Sequence, residues 1–446
     1  MRDLDLEIVG ATIVTPRGQR QGTLAIRDGR IVGLLDEPTG AAARVIDATG
    51  LLAMPGMLDQ HVHFMDPGDT SREDFPHGSG AAALGGVTTV IEHTHSAPVL
   101  TVADLRAKIA HLESRSLVDF GLIAHVFPDT VDQAPALWDA GVAMFKVFTC
   151  TTHGVPALLS DDLLRLFRLL AANDARALAH CEDEFITQGA EQRLRASQRA
   201  DYGVIVDWRA PEAELVAVSQ VALLARLTGA RVTIAHASQP AVVDLIERER
   251  AQGARLSVES CPQYFYLDAD AVRRHGPTRK FTPPARERPA PEQLWERLRR
   301  GQIDIISTDH APSTLAQKRA GDIWSCHFGL PGVETTLPLL LTAAHEGKLT
   351  LEDITRVYSE TPARMWGVYP RKGALDIGSD ADITLVDPTD SYTLRNEDIH
   401  SKAGWTPYDG MRVTGRVVMT LAHGVVVAER GKLVAEPGVG RFIRRA

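Results

Sequence analysis

Between residues 56 and 308 the sequence repeats one change of texture eight times. A short apolar run gives way to a longer amphipathic or Ala/Leu-rich stretch. The strand-like runs are 56–63, 88–93, 119–126, 143–149, 176–180, 231–236, 255–260 and 303–308; helix-like stretches include 102–114, 161–173, 212–228, 240–252 and 291–301. Parallel strands need a crossover of about a dozen residues, usually a helix. Regular alternation therefore predicts a parallel sheet, and eight repeats predict its closure into a (β/α)8 barrel of the α/β class. Ser160-Asp161-Asp162 and Ser238-Gln239-Pro240 read as helix starts, with a polar cap or an early proline. Gly229 and Gly253 read as helix stops.

The flanks have a different texture. Residues 5–9, 12–15, 23–27 and 30–35 alternate or run apolar, with a tight-turn signal at Asp28-Gly29. After about residue 375, β texture returns at 382–386, 417–421 and 425–428, separated by His423-Gly424 and Arg430-Gly431. The expected organisation is a small β-sandwich formed by both chain ends, residues 1–55 and 375–446, beside a barrel of residues 56–374.

In a closed parallel barrel the chemistry sits at the C-terminal strand ends. Pro55-Gly-Met-Leu-Asp-Gln-His-Val-His63 ends the first run, and residues two apart on a strand share a face, so His61 and His63 project together. Two such imidazoles make half of a divalent metal site. His180 closes the fifth run, His236 the sixth, and Asp309 follows the eighth in Ser307-Thr-Asp-His-Ala-Pro312. Singly, each reads as plainly as a rim histidine or a turn aspartate. Four histidines at three strand ends are hard to account for by packing. Lys146 lies within the apolar run Val142-Ala-Met-Phe-Lys-Val-Phe148, where a buried ammonium is expensive unless paired or chemically changed.

Taken together these motifs resemble the cyclic amidohydrolase branch of the amidohydrolase superfamily: hydantoinases, dihydropyrimidinases, allantoinases and dihydroorotases. The resemblance spans essentially the whole chain. Further motifs carry it: Gly85-Gly-Val-Thr-Thr89, His180-Cys-Glu182, Glu259-Ser-Cys-Pro-Gln-Tyr264, Pro283-Pro-Ala-Arg286 and Gly378-Ser-Asp-Ala-Asp382. It implies two divalent metal ions, usually zinc, bridged by a carboxylated Lys146. His61, His63 and Asp309 would complete one shell, and His180 and His236 the other. It further implies ring opening of a cyclic amide or ureide to an N-carbamoyl or ureido acid by the water between the metals, with Asp309 handling the proton. A homotetramer or dimer is the family's habit. An inactive scaffold relative is the alternative class, but such relatives have lost metal ligands, and all six positions are present here.

Substrate contacts are less determined. Related dihydroorotases carry, two residues after the second histidine, an Arg that grips the substrate carboxylate. Met65 stands there, which argues against dihydroorotate, although Arg72 lies within reach along the chain. Hydantoinases have an oxyanion-donating Tyr soon after the lysine; here the region is Thr149-Cys-Thr-Thr-His153, leaving Thr151, Thr152 or His153 as candidates. Thr282 keeps a hydroxyl before Pro283, and backbone groups of Phe328, Gly329 and Leu330 would face the ring imide. His93 and His95 repeat the i, i+2 pattern at the second strand end and read as outer-sphere or substrate-facing groups, as does His310.

A net charge of −9 gives no reason to expect nucleic-acid binding. The charged Met1-Arg-Asp-Leu-Asp-Leu-Glu start does not resemble a signal peptide, and no apolar run is long enough to span a membrane. Cys150, Cys181, Cys261 and Cys326 lack CxxC spacing. A cytoplasmic protein with reduced thiols, acting on a small molecule, is the expectation.

Overall fold

The computed structural model describes residues 4–445. Eight parallel strand positions form the barrel: Met57–Val62, Val87–Glu92, Asp119–Leu122 with Ala124–His125, Phe145–Phe148, Arg176–His180, Arg231–Ile234, Leu256–Ser260 and Ile305–Ile306. The third is split at Ile123, so the ladder runs as a three-stranded and a six-stranded section. The ring closes where Val62 bridges His310 and His63 N–H donates to the His310 carbonyl at 2.7 Å.

Helices cross over between strands, and their apolar stripes explain why. In Ser160–Ala172 the residues Leu163, Leu166, Phe167 and Leu170 are buried at helical spacing. Pro240 opens Pro240–Ala251, and Gly229 ends Pro211–Thr228 in the left-handed conformation. Ser160 is the first helical residue and not the cap; Leu159 precedes it without a side-chain bond, and Asp161 and Asp162 face the helix dipole.

Six of the eight strands stop earlier than the apolar runs suggest, while those ending at His180 and Ser260 stop where the runs do. His63 lies just beyond its strand, His236 two residues beyond Ile234, and Asp309 three beyond Ile306. These residues belong to the first turn of each loop. His236 (φ 36°) and Asp309 (φ 48°) take left-handed backbone, which non-glycine residues rarely adopt.

The terminal strands make one nine-stranded sheet ordered 432–433, 425–429, 412–422, 383–393, 52–55, 4–15, 18–27 and 30–35, with 42–47 paired to 4–15. The runs 5–9 and 12–15 are therefore a single strand, Leu4–Thr15. A bulge between Ile8 and Ala11, with Gly10 at φ 74°, makes it switch partners. Its first half pairs with Ala42–Asp47 and its second with Leu52–Pro55. Such a switch lets a sheet fold over its own core. That core takes Leu6, Ile8 and Ile26 from one chain end and Ile383, Leu385 and Leu421 from the other. No helix of the described residues is long and apolar enough to cross a membrane.

Candidate metal centre and active site

Three of the four candidate histidines at the barrel mouth are held by one ring nitrogen, leaving the other free to donate; His236 Nδ1 is buried without a partner. His61 Nδ1 bonds to Glu259 Oε1 at 2.8 Å, so Nδ1 carries the proton and the Nε2 lone pair faces Lys146 Nζ at 2.9 Å and Asp309 Oδ1 at 3.4 Å. His63 Nδ1 donates to the His93 carbonyl at 2.8 Å, and its Nε2 lies 3.2 Å from Asp309 Oδ1. His180 Nε2 donates to Glu182 Oε2 at 2.7 Å, turning Nδ1 to His236 Nε2 at 3.0 Å. Partners of this kind fix both tautomer and ring direction in metal sites.

These separations fit shared metal ions. Two ligand atoms on one tetrahedral zinc, each about 2.0–2.1 Å from it, stand roughly 3.3 Å apart. The measured edges of 3.4, 3.2 and 3.0 Å match that value. The rings of His61 and His236 stack at 5.6 Å between centroids, so the two donor groups adjoin. Lys146 reaches the junction with only 1% of its surface exposed. Burial pushes its amine down to about 8, although Asp309 and Glu259 pull it up.

Two other clusters of ligand-type atoms read differently. Cys150, His180 and Glu182 converge, but Arg209 Nη1 stands 3.2 Å from Glu182 Oε2 and 3.5 Å from Cys150 Sγ. Burial pushes the Cys150 thiol up to about 12, so it stays protonated and is a poor ligand. Burial raises Glu182 too, but Arg209 and the His180 bond outweigh it and hold the carboxyl at about 2. Asp119, Asp380 and His423 converge on the Lys372 ammonium, which lies 2.9 Å from Asp380 Oδ2 and 2.6 Å from Asp382 Oδ2. That is an ion-pair cluster at the sheet–barrel junction, already filled by its own cation.

A cavity of about 300 Å³ opens beside His63 and Asp309. His95, His153, Thr282, Phe328 and Gly329 line it, together with Met65, Asp69, Arg72 and His327. Four of the nine non-glycine residues with positive φ among those described are in this site: Met65, His153, His236 and Asp309. Such strain persists only where the surroundings over-determine it.

The sequence-based candidates divide. Thr151 turns away: its N–H and hydroxyl both bond to Glu184, at 2.5 and 2.7 Å. Thr152 exchanges backbone bonds with Val155, and Leu330 pairs with Ala311; neither lines the cavity. Thr282 does, while its hydroxyl donates to Glu182 Oε2 at 2.7 Å. His310 Nδ1 accepts from the Gly332 and Val333 N–H groups at 3.1 and 3.3 Å, so its protonated Nε2 faces Glu73 and not the cavity. His93 stacks on His61 at 4.5 Å, and its Nε2 donates to the Gln60 carbonyl at 2.8 Å. His95 stacks on His153 at 5.1 Å. Among the described residues His93 and His95 join no third ligand group.

Sequence reasoning assigned no role to several contributors: Glu259 behind His61, Glu182 and Arg209 behind His180, and Asp69 and His327 around the cavity; Arg72, placed within reach along the chain, does line it. Glu259 carried a usable signal, as a carboxylate near the end of an apolar barrel strand, facing the same mouth as the histidines.

The sequence model described as "Amidohydrolase family" matches residues 52–427. The chain is similar to an L-hydantoinase from Paenarthrobacter aurescens, 33% identical over 449 residues, covering 99% of this chain and 98% of the relative. It is similar also to a dihydroorotase from Halobacterium salinarum, 38% identical over 413 residues, covering 90% and 93%. Among solved structures it resembles the L-hydantoinase (dihydropyrimidinase) from Arthrobacter aurescens, with a TM-score of 0.95 at 32% identity, covering 99% of this chain and all of the other.

Proposed function

The chain belongs to the amidohydrolase family, and on that premise we propose that it hydrolyses a cyclic amide or ureide of hydantoin, allantoin or dihydropyrimidine type to an N-carbamoyl or ureido acid. The observation that carries this reading is the orientation of the four ring nitrogens. His61 and His63 turn theirs towards Lys146 and Asp309, and His180 and His236 turn theirs towards each other, at spacings suited to shared ions.

In this reading His61, His63 and Asp309 hold one divalent ion, His180 and His236 a second, and Lys146 joins them as a carbamate. Two such ions, most simply zinc given the nitrogen-rich donor set, supply Lewis acidity towards the carbonyl and lower the pKa of water. A depressed lysine pKa suits carboxylation, because only the neutral amine attacks CO2: an N–C bond forms and an N–H proton leaves. Glu259, the His93 carbonyl and Glu182 keep three imidazoles in the donating tautomer. Asp309, on the cavity wall, takes the proton of the attacking water and returns it to the ring nitrogen as the C–N bond breaks. His153 supports the oxyanion, being the candidate of its loop that lines the cavity. Dihydroorotate is disfavoured by Met65 at the position where a carboxylate-binding Arg would stand.

The protein acts, in this reading, as a homotetramer or dimer; Phe185 (70% exposed) and Leu227 (66%) offer apolar surface for burial between subunits. Four free, buried cysteines support a cytoplasmic setting. The test is a ring-opening assay with hydantoin, dihydrouracil, allantoin and dihydroorotate, run with metal quantification on protein prepared in bicarbonate. About two metals per chain and turnover of a ureide are expected. Metal-replete protein inert towards every ring, or active on dihydroorotate alone, refutes the reading.

A further inference from the structure

Arg72 is the single Lys or Arg among the residues lining the cavity. Its Nε donates to the Pro312 carbonyl at 3.0 Å and Ser313 Oγ at 2.9 Å, which pins the guanidinium to the outer end of the loop that leaves Asp309. Neither Nη forms an ion pair with a carboxylate of the described residues. Asp69 is the acid that acts on it, and an Asp69 oxygen is already taken by the Ser71 hydroxyl at 2.6 Å. The two arginines buried behind the site are treated differently. Arg209 pairs with Glu182 at 3.2 Å and Arg286 with Glu214 at 3.0 Å. Arg72 is half-buried, and desolvation pushes it down to about 10. After burial, its charge is the next cause holding the His327 imidazole low. A guanidinium anchored by one nitrogen, with its other two free beside a cavity, is shaped to receive a planar anion through paired hydrogen bonds.

We infer that the ring substrate carries a carboxylate at the end of an exocyclic arm, and that Arg72 receives it at the cavity mouth. This rests on the ring-opening reading for the ring's own place beside His63 and Asp309. The arm is required because Arg72 is held by Pro312 and Ser313, beyond the ligand end of the loop. Met65, buried at φ 58°, gives the arm an apolar wall on the same chain segment. Asp69 opposes the anion and sharpens the choice.

The probes are hydantoin-5-propionate and its primary amide, equal in shape and different in charge. Wild-type protein is expected to prefer the acid in kcat/KM by on the order of 10- to 100-fold. Arg72→Gln should remove that preference by raising KM for the acid, with the amide unchanged. Asp69→Asn should lower KM for the acid alone. Equal handling of acid and amide by the wild type overturns the inference. So does an equal loss on both in Arg72→Gln, which would reduce Arg72 to a strut for the 312–313 loop. Calorimetric binding of the same two ligands separates the readings: acid-selective binding that depends on Arg72, without ring opening, preserves this inference while the proposed reaction fails. Unselective binding refutes it.

Discussion

Replacing Glu259 tests whether a group that touches no substrate sets the metal affinity of the site. Its two oxygens accept from three donors: His61 Nδ1–H at 2.8 Å and the His236 backbone N–H at 3.2 Å on Oε1, and Gln60 Nε2 at 2.5 Å on Oε2. Glu259→Gln keeps an oxygen for His61 but makes that bond neutral. Its new amide N–H2 can be accommodated by rotating the Gln60 amide so that oxygen faces it. The loss is the difference between a charge-assisted and a neutral bond, about 1–1.5 kcal/mol, or roughly a tenfold weaker hold on the ion nearest His61. Glu259→Ala leaves all three donors without an acceptor. At the lower end of about 1–3 kcal/mol for each buried orphan, that is roughly 3 kcal/mol of folding stability, and His61 is freed to rotate. Chelator-competition titration of the two variants should therefore rank wild type above Gln above Ala. The thermal midpoint of metal-free protein should drop clearly for Ala and little for Gln. Equal affinities for wild type and Glu259→Ala would refute the idea that this carboxylate orients His61.

Asp309→Asn should retain most of the bound metal and lose about 10²–10⁴-fold in ring opening, read by steady-state kinetics beside metal analysis. Gly329→Ala places a Cβ 2.2 Å from the Ala311 carbonyl oxygen at φ 104°, so kcat/KM should fall at least about tenfold through displacement of the cavity wall while metal content is kept. Carboxylation of Lys146 should follow the neutral amine: at fixed dissolved CO2, reactivation of stripped protein by zinc should quicken as pH rises and level off above about 8. A rate flat between pH 6 and 9 would place the amine's titration elsewhere.

The order of elements was largely visible in the sequence because period and punctuation are local. The eight apolar runs each overlap a barrel strand, and all six ligand candidates gather at one mouth. Six of the eight strand ends were misplaced because apolar character does not report backbone twist: Thr308-Asp309 looks like strand, yet Asp309 turns left-handed to meet His63. Partners that orient the ligands were hidden by distance. Glu259 lies 198 residues from the His61 it holds. Thr151 and His153 are neighbours of equal chemical promise, but the turn sends the hydroxyl of one to Glu184 and leaves the other at the cavity. Arg72 was visible in the sequence only as a cation within reach; its anchoring at Pro312 and Ser313, some 240 residues on, was not.

The strand Leu52–Pro55 runs directly into the segment bearing His61, and its antiparallel neighbour is Ile383–Val386. A chain emerging from the ribosome must wait through more than three hundred residues before that neighbour exists. The lead-in to the first candidate ligands is thus completed by a strand made long after it.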